Sequence, residues 1–330
     1  MGAFKRHALW VLCLVLALSG TITLFACSGG SLLGSSGDLH YSDPVDSDKR
    51  ANPGQPRDNT PEVLTPEQPG DLVVGDSNSV LIDYSNADLG YISAESSLTD
   101  VKVKIVVYAP GGGDYYQYTL PANGTFVCIP LTMGSGIYQV DAYEHLYDDQ
   151  YSGLFSKDIA VELINDLTPF LYPNQYVSFQ AGDPVVALSQ EVTANATSDV
   201  EAADQIYMYV VEHISYDYDK AATIQPGYLP NNTDTLQTEE GICFDFASLT
   251  AAMMRAQRLP TKLDIGYCGD AYHAWIEVYT KDQGWIRREI KFPGNAFVRL
   301  DPTFDSAGNG TGDISRIIGD GTNYYPLFYY

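Results

Sequence analysis

The sequence predicts an α+β protein in two folded halves, an all-β antiparallel sandwich over residues 76–166 followed by a mixed α+β domain over 167–330. Three observations carry this. Short runs with alternating apolar character, separated by Gly, Pro and Asn, recur between Val101 and Leu163. Apolar positions at helical spacing appear only later, around 200–214 and 246–256. Alternating strand patterns then return from Tyr272 onward.

The N-terminal region stands apart from both halves. Lys5 and Arg6 precede an unbroken apolar run, Ala8 to Leu18, so residues 1–26 read as a signal peptide. The run is short for a membrane span and is followed by Ser19, Gly20, Thr21 and Thr23. Leu24-Phe25-Ala26-Cys27 resembles a bacterial lipobox, which implies cleavage before Cys27 and lipidation of that residue. The folded part is therefore expected outside the cytoplasm, lipid-anchored to the bacterial cell membrane. Residues 27–75 carry six prolines and one aromatic residue, Tyr41. Such a composition buries too little apolar surface to offset the entropy of ordering, and predicts a disordered tether.

Composition excludes one large class of function. The chain holds 42 acidic against 18 basic residues, a net charge of −24, and shows no basic stripe that could release counterions from a phosphate backbone. No nucleic-acid partner is expected. Of five cysteines, Cys13 and Cys27 belong to the signal region, leaving Cys128, Cys243 and Cys268. An odd, sparse set makes a poor disulfide framework and favours a free thiol; a Cys128–Cys268 bridge is the alternative, and would have to join the two halves.

In the first half, Val101–Tyr108 reads as a strand, broken by Pro110-Gly111-Gly112-Gly113-Asp114 and resumed at Tyr115–Leu120. Asn123-Gly124 reads as a hairpin signal leading into Thr125–Pro130. Gly136–Glu144 and Ile159–Leu163 complete an arrangement of the immunoglobulin-like kind. His145 falls at a strand end among tyrosines and acids and reads as a surface residue.

Leu167–Gln180 connects to the second half. Ser198 and Glu201 form a capping box, and Val200, Ala203, Ile206, Tyr207, Val210, Val211 and Ile214 follow on one helical face. Ser215–Glu240 is polar and reads as a loop placed to wall a cleft. A second helix opens at Gly241-Ile242-Cys243, with Phe246, Leu249, Thr250, Met253 and Ala256 at helical steps and Leu259-Pro260 at its end. Cys243 falls in the first turn, where unpaired backbone N–H groups and the helix dipole favour a thiolate. Its own N–H is a natural oxyanion donor, and Gly241 leaves the backbone open to a substrate.

Tyr272–Tyr279 alternates as a strand with His273, Trp275, Glu277 and Tyr279 on one face. A turn at 280–284 leads into Trp285–Ile290, and Phe297–Asp301 forms a third strand. Asp301 at that strand end can accept the imidazole N–H and fix its tautomer. Glu277 is the alternative carboxylate. Trp275 reads as a packing residue beside the imidazole, and no ligand spacing supports a metal site.

These residues resemble the transglutaminase-like superfamily, whose core shares its Cys-His-Asp logic with papain-like proteases. The matching pieces are Gly241-Ile242-Cys243-Phe244-Asp245-Phe246-Ala247, Met254-Arg255-Ala256, Leu259-Pro260, Gly266-Tyr267, His273-Ala274-Trp275-Ile276-Glu277-Val278-Tyr279 and Asp301-Pro302-Thr303, within residues 200–310. The resemblance implies a transglutaminase/papain-like α+β domain with Cys243 as nucleophile, His273 as acid/base and Asp301 as its orienting partner. It implies no cofactor. It also implies an oxyanion donor upstream of the cysteine, for which Tyr216 and Tyr218 are the candidates. Trp285 lies 16 positions before Asp301, further than in many relatives. The expected function is cysteine acyl transfer on a protein or peptide substrate, cell-wall associated or otherwise, as a transglutaminase or a protease/amidase. The alternative is a non-catalytic adhesion or cell-wall-binding lipoprotein on the same scaffold.

Overall fold

The computed structural model describes residues 56–330 apart from 270, 282, 287–289, 292–296, 299–302 and 304–323. Cys27 and Asp301 lie outside the described residues, as do the signal peptide and the tether up to residue 55.

Eight strands build the first half: β1 (Val73–Asp76), β2 (Val80–Asp83), β3 (Tyr91–Ser96), β4 (Val103–Tyr108), β5 (Tyr115–Leu120), β6 (Val127–Pro130), β7 (Gly136–Tyr147) and β8 (Gln150–Val161). They form two four-stranded antiparallel sheets, β1-β2-β3-β6 and β5-β4-β7-β8. Ile82, Ile92 and Ile129 from one sheet and Ile105, Val107 and Val140 from the other enter one core. The expected sandwich is present, with one correction inside it. Asn123-Gly124 does not close a hairpin: β5 pairs with β4 while β6 pairs with β3, so this turn carries the chain from one sheet to the other. Gly124 adopts a positive φ, and the Asn123 side chain accepts the Thr125 N–H at 3.0 Å. That local turn chemistry is sound, but which sheet receives the next strand is set by burial across the sandwich.

The second half comprises α1 (Pro184–Val192), α2 (Asp199–His213), β9 (Ser215–Tyr216), α3 (Tyr218–Thr223), α4 (Asn232–Thr238), β10 (Glu240–Gly241), α5 (Cys243–Ala256), β11 (Thr261–Cys268), β12 (Ala271–Thr280), β13 (Gly284–Ile286), β14 (Ile290–Lys291), β15 (Phe297–Val298) and β16 (Tyr324–Tyr329). The protein is thus α+β. As the capping box predicts, Ser198 accepts the Glu201 N–H at 3.2 Å; the Glu201 carboxylate turns back one residue earlier than expected, to Thr197 N–H and hydroxyl at 2.7 and 2.6 Å. The segment read as a loop, 215–240, instead holds α3 and α4, each started by a side-chain cap, Asp217 and Asn231.

Helix α5 is the axis of this half. From Asp245 to Ala256 every residue is buried, and the helix packs on α1, α2, α4, β11 and β12. The sheet order is β13-β12-β11-β16, all antiparallel, with Gly266 opposite His273. Any side chain at Gly266 would press on the Tyr325 carbonyl, which a Cβ would meet at 2.1 Å, so glycine is what lets β16 approach β11 there.

The expected tether ends earlier than residue 75. Arg57 is 3% exposed, its backbone N–H donates to Ala196 O at 2.7 Å, and Glu62 N–H donates to Ala256 O at 2.9 Å. The chain from 57 to 62 is therefore held against the second half by hydrogen bonds its Pro-rich composition did not announce.

Candidate active site

Cys243 is the first residue of α5, after Ile242 in extended conformation as N-cap. Asp245, at the third helical position, is fully buried and closes the cap by accepting the Ile242 N–H at 2.9 Å. The same carboxylate accepts from Lys220 Nζ at 2.7 Å and Tyr228 Oη at 2.5 Å, and Lys220 lies 4.7 Å above the Tyr228 ring. One buried acid thus ties α3 and the following loop to the start of α5, where Cys243 stands. Burial would lower the Lys220 ammonium, but its bonds to Asp245 and Tyr228 prevail and hold it above the ordinary lysine range. Burial, then the bond to Asp245, pushes the Tyr228 phenol up to about 12. Gly241 has a different reason from the one the sequence suggests: a Cβ there would come within 2.7 Å of the Asp245 Cβ, so the glycine admits Asp245 rather than substrate.

A cleft of about 940 Å³ opens over this end of α5, and both Cys243 and His273 line it. Cys243 is half-buried, and neither it nor Cys128 nor Cys268 is in a disulfide, so no bridge joins the halves. Burial pushes the Cys128 thiol up, which keeps it protonated and inert. His273 is buried on β12, its ring stacked over Trp275 at 6.2 Å and set edge-on to Tyr324 at 6.3 Å; Trp275 and Tyr324 meet at 4.9 Å. Two aromatic rings therefore pack around the imidazole. Trp275 was legible in the sequence; Tyr324, from the last strand, was not.

Of the two oxyanion candidates the structure separates one from the other. Tyr216 lines the cleft, on a strand whose parallel register sets it opposite Gly241. Burial, then the neighbouring Cys243, pushes its phenol up, so it remains an O–H donor. Tyr218 is 70% exposed and is not among the lining residues. Tyr272 also lines the cleft; burial, then Tyr267 and Cys243, raises its phenol as well. Glu277, the alternative carboxylate, lies about 13 Å along the strand from His273, and it pairs with Lys262 at 3.3 Å. Lys262 in turn sits 4.2 Å over Trp285. This corner is a packed ion pair on the sheet, away from the thiol. Asp301 lies outside the described residues. Among the described residues no group of three or more His, Cys, Asp or Glu is placed to hold a metal.

Residues 186–302 match the family described as the Transglutaminase-like superfamily, and this stretch contains α5, β11 and β12 with both Cys243 and His273. The second half therefore contains a stretch that matches a transglutaminase-like core. A UPF0252 protein of Methanocaldococcus jannaschii is 30% identical over 87 residues, 23% of this chain and 25% of that protein, so the chain spans about a quarter of that relative's length. Among solved structures, the chain is similar to red sea bream transglutaminase (TM-score 0.29, 11% identity, 64% of this chain and 50% of that one). It is also similar to a Cytophaga hutchinsonii protein provisionally assigned as a cysteine protease (TM-score 0.33, 15% identity, 64% and 78%).

Proposed function

We propose that this protein is a surface-anchored cysteine acyl-transfer enzyme acting on amides in protein or peptide substrates, held to the bacterial membrane by a lipid on Cys27. The observation that carries the reading is a free thiol at the first position of α5 opening on a cleft that His273 also lines. In this reading the Cys243 sulfur attacks the amide carbonyl, and negative charge collects on the carbonyl oxygen. The Cys243 N–H at the helix start and the Tyr216 hydroxyl are its donors. His273 takes the thiol proton and returns it to the departing nitrogen as the C–N bond breaks, leaving a thioester on Cys243. Asp301 orients the imidazole. Water then resolves the thioester with net hydrolysis, or a second amine does so with crosslinking.

The test is incubation with a glutamine-containing protein and a labelled primary amine. Incorporated label marks crosslinking, whereas released ammonia or new amino termini mark hydrolysis; each is expected to vanish in Cys243→Ala. Products formed equally by wild type and Cys243→Ala, or none from a broad substrate panel, would overturn the reading. The anchor has its own check: metabolic labelling with a radioactive fatty acid should mark the wild type and not Cys27→Ser.

A further inference from the structure

We propose that the sandwich half is part of the substrate site, and that the cleft takes a peptide acyl donor with a bulky apolar or aromatic residue beside the reactive amide and a carboxylate further along that pairs with Lys102. The proposal rests on the acyl-transfer reading and adds the substrate class to it.

The cleft does not belong to the second half alone. Lys102, Thr119, Leu120, Pro121 and Val127, all from the sandwich, line the same space as Cys243 and His273. Its volume, about 940 Å³, is at the upper end of pockets that enclose a ligand. The two walls are held in register by packed contacts. Tyr330 stands 5.3 Å from Tyr116 and 5.9 Å from Tyr118, ring to ring. Thr132 donates to Tyr329 O at 3.1 Å, and the Tyr176 hydroxyl donates to Gln117 O. The sandwich wall is therefore part of a preformed site, and its face toward the thiol is fixed before substrate arrives.

The chemistry of the lining selects the guest. Tyr176, Phe244 and Phe328 give the cleft an aromatic floor suited to a large apolar side chain. The chain holds 42 acidic residues, yet no Asp or Glu side chain is among the described residues that line the cleft. Lys102 lines it, is exposed, and makes no ion pair among the described residues. In a chain of net charge −24 a cation left unpaired at a cleft mouth is available to a ligand carboxylate. Gln175 also lines the cleft; its side-chain nitrogen is buried and has no hydrogen-bond partner among the described residues.

The test separates this claim from the catalytic one by measuring binding in full-length Cys243→Ala, where turnover plays no part. Fluorescent glutamine peptides carry Phe or Gly beside the glutamine and Glu or Lys three residues away. The Phe/Glu peptide is expected to bind about tenfold more tightly than either the Gly/Glu or the Phe/Lys peptide. Adding Lys102→Glu, an exposed change that should leave the thermal midpoint in place, is expected to reverse the Glu/Lys preference. Equal affinities across the peptides, or a Glu/Lys preference that survives Lys102→Glu, would overturn the proposal. Turnover by the wild type, scored separately on the same peptides, tests the acyl-transfer reading. A binding preference without turnover sinks that reading alone, and turnover without preference sinks this one alone.

Discussion

The two ends of α5 are built for opposite purposes. At its C-terminal end the buried side chains of Arg255 and Gln257 are tied down by hydrogen bonds. Arg255, fully buried, donates to Thr261 O, Tyr172 O and Tyr330 O at 2.5–3.0 Å. Gln257 accepts from Arg57 and donates to Asn59 O and the Ser189 hydroxyl, while Arg57 pairs with Asp199 at 2.7 Å. At the N-terminal end one buried acid secures the cap, and two positions before it a free thiol lines the cleft. One helix thus serves as a structural rivet at one end and, in the proposed reading, as a reactive tip at the other. Polar groups satisfied by protein give stability, and those left facing a cleft are available for chemistry.

Substitutions at the two ends should therefore separate stability from reactivity. Arg255→Met strips donors from three buried carbonyls and is expected to cost about 4 kcal/mol in a urea titration. Arg57→Ala leaves Asp199 without its guanidinium and opens the Gln257 contacts; about 3 kcal/mol should be lost, with Cys243 labelling at an unchanged rate. A large change in labelling rate from Arg57→Ala would show that the ends are coupled. At the other end, Lys220→Met removes one of three donors from Asp245. Stability should fall by about 2 kcal/mol, while kcat/KM drops about tenfold because α3 and its loop line the cleft.

The same anchor predicts a pH limit. Lys220 and Tyr228 both titrate above their ordinary values in the folded state. Their contribution is complete below the unfolded tyrosine value near 10 and is lost as pH rises toward about 12. Fluorescence of the cleft aromatics, followed through that window, should report the release in wild type and be flatter in Lys220→Met. The smallest effect is expected away from α5. Burial, and then Glu201, raises the Asp204 carboxyl to about 6. A raised acid burdens the folded state above its folded value and is relieved as pH falls toward its unfolded one. Asp204→Asn should thus raise Tm by about 1–2 °C at pH 7, with the gain vanishing near pH 4.

How much of this was legible follows from how far each signal reaches along the chain. Helices α2 and α5 and strand β12 were readable because their cause is local: a cap followed by apolar residues at 3.6-residue steps, or strict alternation. The placement of Cys243 at a helix start and of His273 on a strand was readable for the same reason. Pairings that join distant segments left no local trace. The last strand, β16, lies about sixty positions from its partner β11, and it supplies Tyr324 beside the imidazole. Arg57 reads as a charge in a Pro-rich stretch until Gln257 and Asp199 surround it. Helix α3 buries no residue at all, so hydrophobic periodicity could not reveal it. The participation of the sandwich in the cleft depends on how two halves dock, which no run of residues encodes.

The central claim is that the Cys243 sulfur and the His273 imidazole act as a pair, and the rate of alkylation by iodoacetamide across pH 5–9 tests it most directly. The account predicts that Cys243 outpaces a free model thiol at pH 6–7 and that His273→Ala abolishes the advantage without unfolding the protein. A Cys243 that reacts no faster than free cysteine, with a profile indifferent to His273→Ala, would contradict it.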